Sequence, residues 1–128
     1  GPLGGLASVL GAVPAGAWTV TLPVDMAGVT SGLLERLVRQ ARDQAADLCL
    51  ARGPRGLEPL LGAFGPRCAR QARRLLEAGE RRPVALADPA LGLTVVELTL
   101  SAEEAEQALQ NLNHPSDWER SALGVQAS

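Results

Sequence analysis

Apolar runs alternate with amphipathic helical patterns along this chain, and that alternation points to an α/β architecture. The clearest run is AWTVTL at 17–22, rich in β-branched residues, which ends on Pro23 and then an acid, Asp25. A helical pattern follows over 31–47. Leu33, Leu34, Leu37, Val38, Ala41 and Ala45 recur at 3–4 spacing, Glu35 and Arg39 form a favourable pair one turn apart, and Thr30 or Ser31 can cap the start. LCLAR at 48–52 reads as a short buried strand, RGPRG at 52–56 as a turn, and LEPLLGAF at 57–64 as a third strand. Pro59 makes that third strand an edge or irregular one. A second helix runs from near Pro66 to a stop at Gly79, with Ala69, Ala72, Leu75 and Leu76 on its apolar face and Arg67, Arg70, Arg73 and Arg74 on the others. LTVVELTL at 93–100 is a fourth strand, and Ser101 with Glu104 makes a capping box for a helix through about residue 109. NLNHP at 111–115 reads as extended, before a helical turn over 116–122. At the other end, GPLGG at 1–5 reads as a glycine-rich loop and LASVLGAV at 6–13 as a short helix. The expected fold is a three-layer α/β/α sandwich with a mainly parallel sheet.

Composition narrows the function classes. With 128 residues, 46% of them hydrophobic, the chain suits one domain spanning 1–128. A net charge of −2 argues against a general nucleic-acid surface, and three aromatic side chains (Trp18, Phe64, Trp118) are too few for a base-stacking platform. All twelve basic residues are arginine. Cys49 and Cys68 stand apart, without a CxxC pair and with one histidine in the chain. That argues against zinc and for two buried free thiols of a cytosolic protein. No apolar run reaches membrane-spanning length, and the first residues lack the basic start of a signal peptide, so a cytoplasmic protein without membrane contact is expected.

In open α/β sheets, ligands bind beyond the carboxyl ends of the strands, which is where Asp25 stands. A carboxylate there can hold Mg²⁺ against phosphate oxygens. Position alone favours a plainer role, capping the helix that begins near Thr30 or standing as a loop acid in water. GPLGG could bring backbone N–H groups close to an anion or simply turn the chain, and Gly1-Pro2 could also be a remnant of tag removal. Arg81 and Arg82 follow a helix and suit phosphate oxygens, or form a solvated basic helix end. Asn111 and Asn113, alternating in an extended piece, can turn both amides toward one ligand or serve a turn.

Four landmarks stand in order: GPLGG at 1–5, LPVDM at 22–26, EAGERR at 77–82 and NLNHPSDW at 111–118. In this the chain resembles the C-terminal two-thirds of the molybdenum cofactor guanylyltransferases, the MobA-like nucleotidyltransferases. The resemblance implies a fold like that of nucleotide-diphospho-sugar transferases. It implies GMP transfer from GTP to the molybdopterin cofactor, with pyrophosphate released and Mg²⁺ required. It gives Asp25 the metal and the catalytic role. It gives Gly1, Pro2, Leu3 and Gly5 nucleotide contacts, Arg81 and Arg82 the phosphate of the pterin substrate, and Asn111 and Asn113 the pterin ring.

The family's opening strand and glycine-rich Arg/Lys loop have no counterpart here. The resemblance therefore implies a partial domain lacking its first strands, inactive alone, that self-associates or takes a partner chain. Three positions depart from the pattern: Ala27 for proline, Glu58 for histidine or glutamine before Pro-Leu, and His114 for threonine. Two rival readings remain. One is a sister nucleotidyltransferase acting on CTP or a sugar phosphate. The other is a non-catalytic module that binds the cofactor or docks on a molybdoenzyme or chaperone.

Overall fold

The structure is a computed structural model and describes residues 2–22, 31–109 and 123–127. Its elements are α1 (Pro2–Ala12), β1 (Trp18–Leu22), α2 (Ser31–Asp43), β2 (Leu48–Gly53), β3 (Gly56–Phe64), α3 (Cys68–Glu77), β4 (Val95–Thr99), α4 (Ala102–Leu109) and β5 (Leu123–Ala127). Two 3₁₀ turns, Pro83–Ala87 and Pro89–Leu91, join α3 to β4.

The five strands form one sheet in the order β4-β2-β3-β1-β5. Alternation of side chains across it separates two cores. On one face Cys49, Ala51, Leu61 and Ala63 meet Leu33, Leu37, Val38 and Ala41 of α2 and Ala105 of α4. On the other, Leu48, Leu50 and Phe64 meet Leu3, Leu6 and Leu10 of α1 and Cys68 and Ala72 of α3. This is the expected three-layer sandwich. Burial pushes the Cys49 thiol up to about 11 and the Cys68 thiol up to about 12, so both stay protonated and unreactive.

The strand directions differ from a mainly parallel sheet. Only β2–β4 is a parallel pair; β2–β3, β1–β3 and β1–β5 are antiparallel. The reason is the short RGPRG connection, in which Gly53 pairs with Gly56 and folds β3 straight back along β2. A parallel crossover needs a dozen or more residues. Gly62 shows how tightly β3 then lies on its neighbour: a Cβ there would stand 2.8 Å from Leu50 Cδ2 and 3.0 Å from the Cys49 carbonyl oxygen.

Local chemistry sets the other boundaries. Helix α2 ends four residues earlier than its pattern, because Ala45 adopts a left-handed φ of 52° and the Ala46 N–H reaches back to the Ala41 carbonyl at 2.8 Å. That turn seats Ala46, rather than Ala45, in the core. The capping box holds as read: Glu104 N–H donates to Ser101 Oγ at 3.1 Å, and Ser101 N–H to Glu104 Oε1 at 2.9 Å. Such a cap contributes about 1 kcal/mol, and Arg36 Nη1, 2.7 Å from Glu104 Oε2, ties α4 to α2. The strand β5 has no counterpart among the expected elements. It lies beyond the helical turn expected over 116–122, which is outside the described residues, as is the extended piece at 111–115.

Candidate active site

The antiparallel hairpin fixes which loops share an end of the sheet. Strands β1, β2 and β4 point one way, and their carboxyl ends form one edge. The first residues of β3 lie at that edge because Gly56 pairs with Gly53. Helix α3 leaves β3 at the opposite edge and climbs back, so its last turn and the Gly79–Arg82 segment return to the carboxyl end. Helix α1 descends from the same end to the turn before Trp18.

One hydrogen bond joins these last two segments: the Leu3 N–H donates to the Arg81 carbonyl at 3.1 Å. The first and third landmarks of the sequence, eighty residues apart in rough terms, are thus adjacent in space. The other two landmarks have flanks at this edge as well. Leu22 ends β1, and in the β1–β5 ladder it pairs with Leu123. The segment carrying Asp25 leaves from one member of that pair, and the segment carrying Asn111 and Asn113 arrives at the other. Asp25, Asn111, Asn113 and Gly1 themselves lie outside the described residues.

Residues 2–5 are not a loop. Pro2 through Gly5 form the first turn of α1, with Pro2 at the position where a missing N–H is harmless. The helix extends this far because Leu3, Leu6, Ala7 and Leu10 make one buried stripe, which outweighs about 1 kcal/mol lost at each interior glycine. The Leu3 side chain is fully buried, and its N–H is spent on Arg81. The backbone N–H of Gly4, with the helix dipole behind it, is what this turn can offer an anion, since the Gly5 N–H begins the helix's own ladder. A Cβ at Gly4 would touch nothing within 4 Å, so packing does not require glycine there.

Arg81 and Arg82 are both exposed, and they differ. The chain turns at Gly79, with φ of 90°, and Glu80 then folds over the next two residues. Its Oε1 accepts from the backbone N–H of Arg81 at 2.9 Å and of Arg82 at 3.0 Å, and from Arg82 Nε at 3.2 Å. The Arg82 guanidinium, followed by the two N–H groups, draws the Glu80 carboxyl down to about 2. Arg82 is thereby held in place and partly neutralised. The Arg81 guanidinium has no ion pair among the described residues, which leaves it the freer cation for a phosphate.

Two buried acids escaped the sequence reading. Asp47, which the helical pattern over 31–47 takes in, stands instead at the foot of β2. Its carboxylate accepts the Thr94 N–H at 2.8 Å and meets Arg67 Nη1 at 3.4 Å, while its carbonyl accepts the Gly65 N–H at 2.8 Å and the Cys68 thiol at 3.3 Å. It binds β2, β4 and α3 together at the edge away from the candidate site. Glu58 was seen only as a departure from a pattern. It sits on the carboxyl-end edge where the β2–β3 register shifts between Leu50 and Arg52. Burial raises its carboxyl above the ordinary range, against the pull of Arg55. An acid beside a proline inside an apolar run was the available signal for Glu58. For Asp47 it was an acid directly before LCLA.

Among the described residues no cluster of three His, Cys, Asp or Glu side chains could hold a metal ion, and no helix is long and apolar enough to cross a membrane.

A three-layer sandwich whose connecting segments gather at the carboxyl edge of the sheet is the layout in which open α/β folds place their ligands. The chain belongs to the MobA-like NTP transferase domain family, which matches residues 1–91. It is similar in structure to molybdopterin-guanine dinucleotide biosynthesis protein A from Archaeoglobus fulgidus. The TM-score is 0.69 at 22% sequence identity, covering 94% of this chain and 60% of that one. The chain therefore spans about 60% of that protein's length. A search of curated proteins finds no match.

Proposed function

We propose that this chain carries the acceptor side of a molybdenum cofactor guanylyltransferase, transferring GMP from GTP to molybdopterin with release of pyrophosphate. The observation that supports this reading most is the Leu3–Arg81 hydrogen bond, together with the Leu22–Leu123 pair. These bring the flanks of all four landmark segments to one sheet edge, in a chain of the MobA-like family.

The chemistry asks for charge control. In the transfer, the substrate phosphate attacks the α-phosphorus of GTP and pyrophosphate leaves, so negative charge builds on oxygens. Mg²⁺, when bound, would neutralise that charge. Asp25 is the residue to hold it. Arg81 would bind and orient the acceptor phosphate, Glu80 would keep Arg82 pointed at the same place, and the first turn of α1 would add the Gly4 N–H. Asn111 and Asn113 would contact the pterin. We further propose that a second chain, or a second copy of this one, completes the phosphate-gripping half, so that this chain alone does not turn over.

Calorimetric titration with Mg²⁺·GTP tests the reading. Binding is expected to weaken about tenfold or more in Asp25→Ala, and Arg81→Ala is expected to leave it within about twofold while weakening binding of a pterin phosphate. Absence of Mg²⁺·GTP binding, or binding indifferent to Asp25→Ala, contradicts it, and so does rapid pyrophosphate release by this chain alone with GTP, Mg²⁺ and molybdopterin.

A further inference from the structure

We propose that copies of this chain associate head to tail through charge, the arginine face of α3 in one copy seating on the acidic face of α4 in the next. The proposal uses neither Asp25 nor Arg81 and stands apart from the transferase reading above.

Charge is unevenly distributed along the chain. Residues 66–82 hold six of the twelve arginines and two of the fourteen acids, a net charge of +4. The rest of the chain holds six arginines and twelve acids, a net charge of −6, and the whole sums to −2. Folding does not mix the two sets. Helix α1, which packs beside α3, carries no charged residue, and neither do the two 3₁₀ turns after α3. Asp88, between those turns, accepts the Ala90 N–H at 2.9 Å. On α2, by contrast, Arg36, Arg39 and Arg42 are interspersed with Glu35 and Asp43.

The α3 face is left without counter-charge. Arg70, Arg73 and Arg74 are exposed, and none has an ion pair among the described residues. Arg67, one turn earlier, does have one, with Asp47 at 3.4 Å. Arg70 stands three and four residues from the other two, so like charges share one side of the helix and repel each other. Glu77 is the only acid within α3. Such a face gains Coulomb energy when acids arrive from outside.

Helix α4 is its complement. It carries Glu103, Glu104 and Glu106 and no basic residue. Glu104 is engaged by Ser101 and Arg36. Glu103 and Glu106 are exposed and have no ion pair among the described residues. They are three residues apart, as Arg70 and Arg73 are, so each pair has the same spacing of about 5–6 Å along its helix.

The layers decide the partner. Cys68 and Ala72 of α3 pack on the sheet face that carries Leu48, Leu50 and Phe64, whereas Ala105 of α4 packs on the face that carries Cys49, Ala51 and Ala63. The two patches therefore point away from each other and cannot meet within one chain. A second copy brings the right sign at the right spacing. A copy seated on its neighbour's α4 still presents its own α4 to a third, so the contact is heterologous and propagates instead of closing as a two-fold pair. Two short charged helix faces make a small interface, of the weak, transient class.

The test is sedimentation velocity and light scattering of the full chain over a concentration series. At about 0.02 M salt the mean mass is expected to rise with concentration past that of a dimer, and association is expected to weaken about tenfold or more at about 0.5 M salt. Two charge-reversed chains locate the contact. One carries Arg70→Glu, Arg73→Glu and Arg74→Glu, the other Glu103→Arg and Glu106→Arg. Each alone should associate about tenfold or more weakly than wild type at low salt, and an equimolar mixture should recover to within about threefold, because each chain then meets its opposite. A chain with Glu35→Arg and Asp43→Arg on α2 has the same net charge as the α4 reversal and should still associate alone. Arg70 lies in the first turn of α3, where glutamate suits the helix dipole, so the α3 reversal decides the matter even where the α4 reversal loosens its helix. A chain that stays monomeric at low salt, association indifferent to salt, association unchanged by the α3 reversal, or no recovery on mixing two folded reversals overturns the proposal.

Discussion

Asp47 and Glu58 are acids of nearly equal burial, 8% and 9% exposed, at opposite edges of the same sheet. Around Asp47 each feature answers another. Its carboxylate is satisfied by Thr94 and Arg67, its carbonyl by Gly65 and Cys68, and the Trp18 ring closes over Gly65, where a Cβ would come to 3.0 Å of it. At the edge that holds Glu58, Arg81 has no ion pair and Glu58 no donor among the described residues, and Gly4 has no packing reason to be glycine. The Asp47 edge satisfies its acid with its own groups, although Thr19 Oγ1, in the rung with Phe64 at the same edge, is buried without a hydrogen-bond partner among the described residues. The other leaves charge and hydrogen-bonding capacity for something else, which is how folded domains tend to divide stability from function.

The sharpest way to break this contrast is to remove each acid. Asp47→Ala strands the Thr94 N–H and frees Arg67, and should cost about 2–3 kcal/mol by urea unfolding. Glu58→Gln, of the same size but uncharged, should leave stability equal or higher. If the two substitutions cost the same, the edges are alike and the division fails.

A second comparison lies within α1. Gly4 sits near its start at the candidate edge and Gly11 near its end at the other, and a Cβ at either would meet nothing within 4 Å. Alanine at each should raise stability by about 0.5–1 kcal/mol. Only Gly4→Ala is expected to weaken Mg²⁺·GTP binding. Equal effects of the two on binding would remove the first turn of α1 from the site.

The smallest effect is in pH dependence, where two acids of the candidate edge act with opposite sign. The folded value of Glu58 is raised, so its contribution to stability is fullest below the ordinary carboxyl range and is lost as pH rises through that raised value. Glu58→Gln should flatten this decline in Tm. The folded value of Glu80 is lowered to about 2 by Arg82 and two N–H groups, so its contribution is present above the ordinary range and fades as pH falls toward 2. Glu80→Gln should lower Tm slightly at pH 7 and not at pH 2.

Much of this was legible in the residues. Period-two and 3.6-residue patterns located the first four strands and the helices, because each element buries one face. The Ser101–Glu104 cap was readable because its spacing is its mechanism. Strand direction was not. Whether β3 folds back or crosses over depends on the RGPRG turn, and an apolar run carries no direction of its own. The helical state of Pro2–Gly5 was hidden by its glycines, whose local preference is overridden when Leu3 and Leu6 find a core. For the site, the landmarks named segments, and the fold adds that Leu3 and Arg81 touch. Asp47 and Glu58 look alike in sequence, as lone acids at the margins of apolar runs. What tells them apart is folding, which brings Thr94 and Arg67 to the Asp47 carboxylate and puts no hydrogen bond on Glu58 among the described residues.

The most direct test of the two-edge account is a ¹⁵N amide shift map of the chain titrated with Mg²⁺·GTP. The account predicts shifts at Gly4, Gly5, Leu22, Glu58, Arg81 and Arg82, with Asp47, Gly65, Arg67 and Thr94 unmoved. Shifts centred on Asp47 and its partners, or spread evenly over both edges, would contradict it.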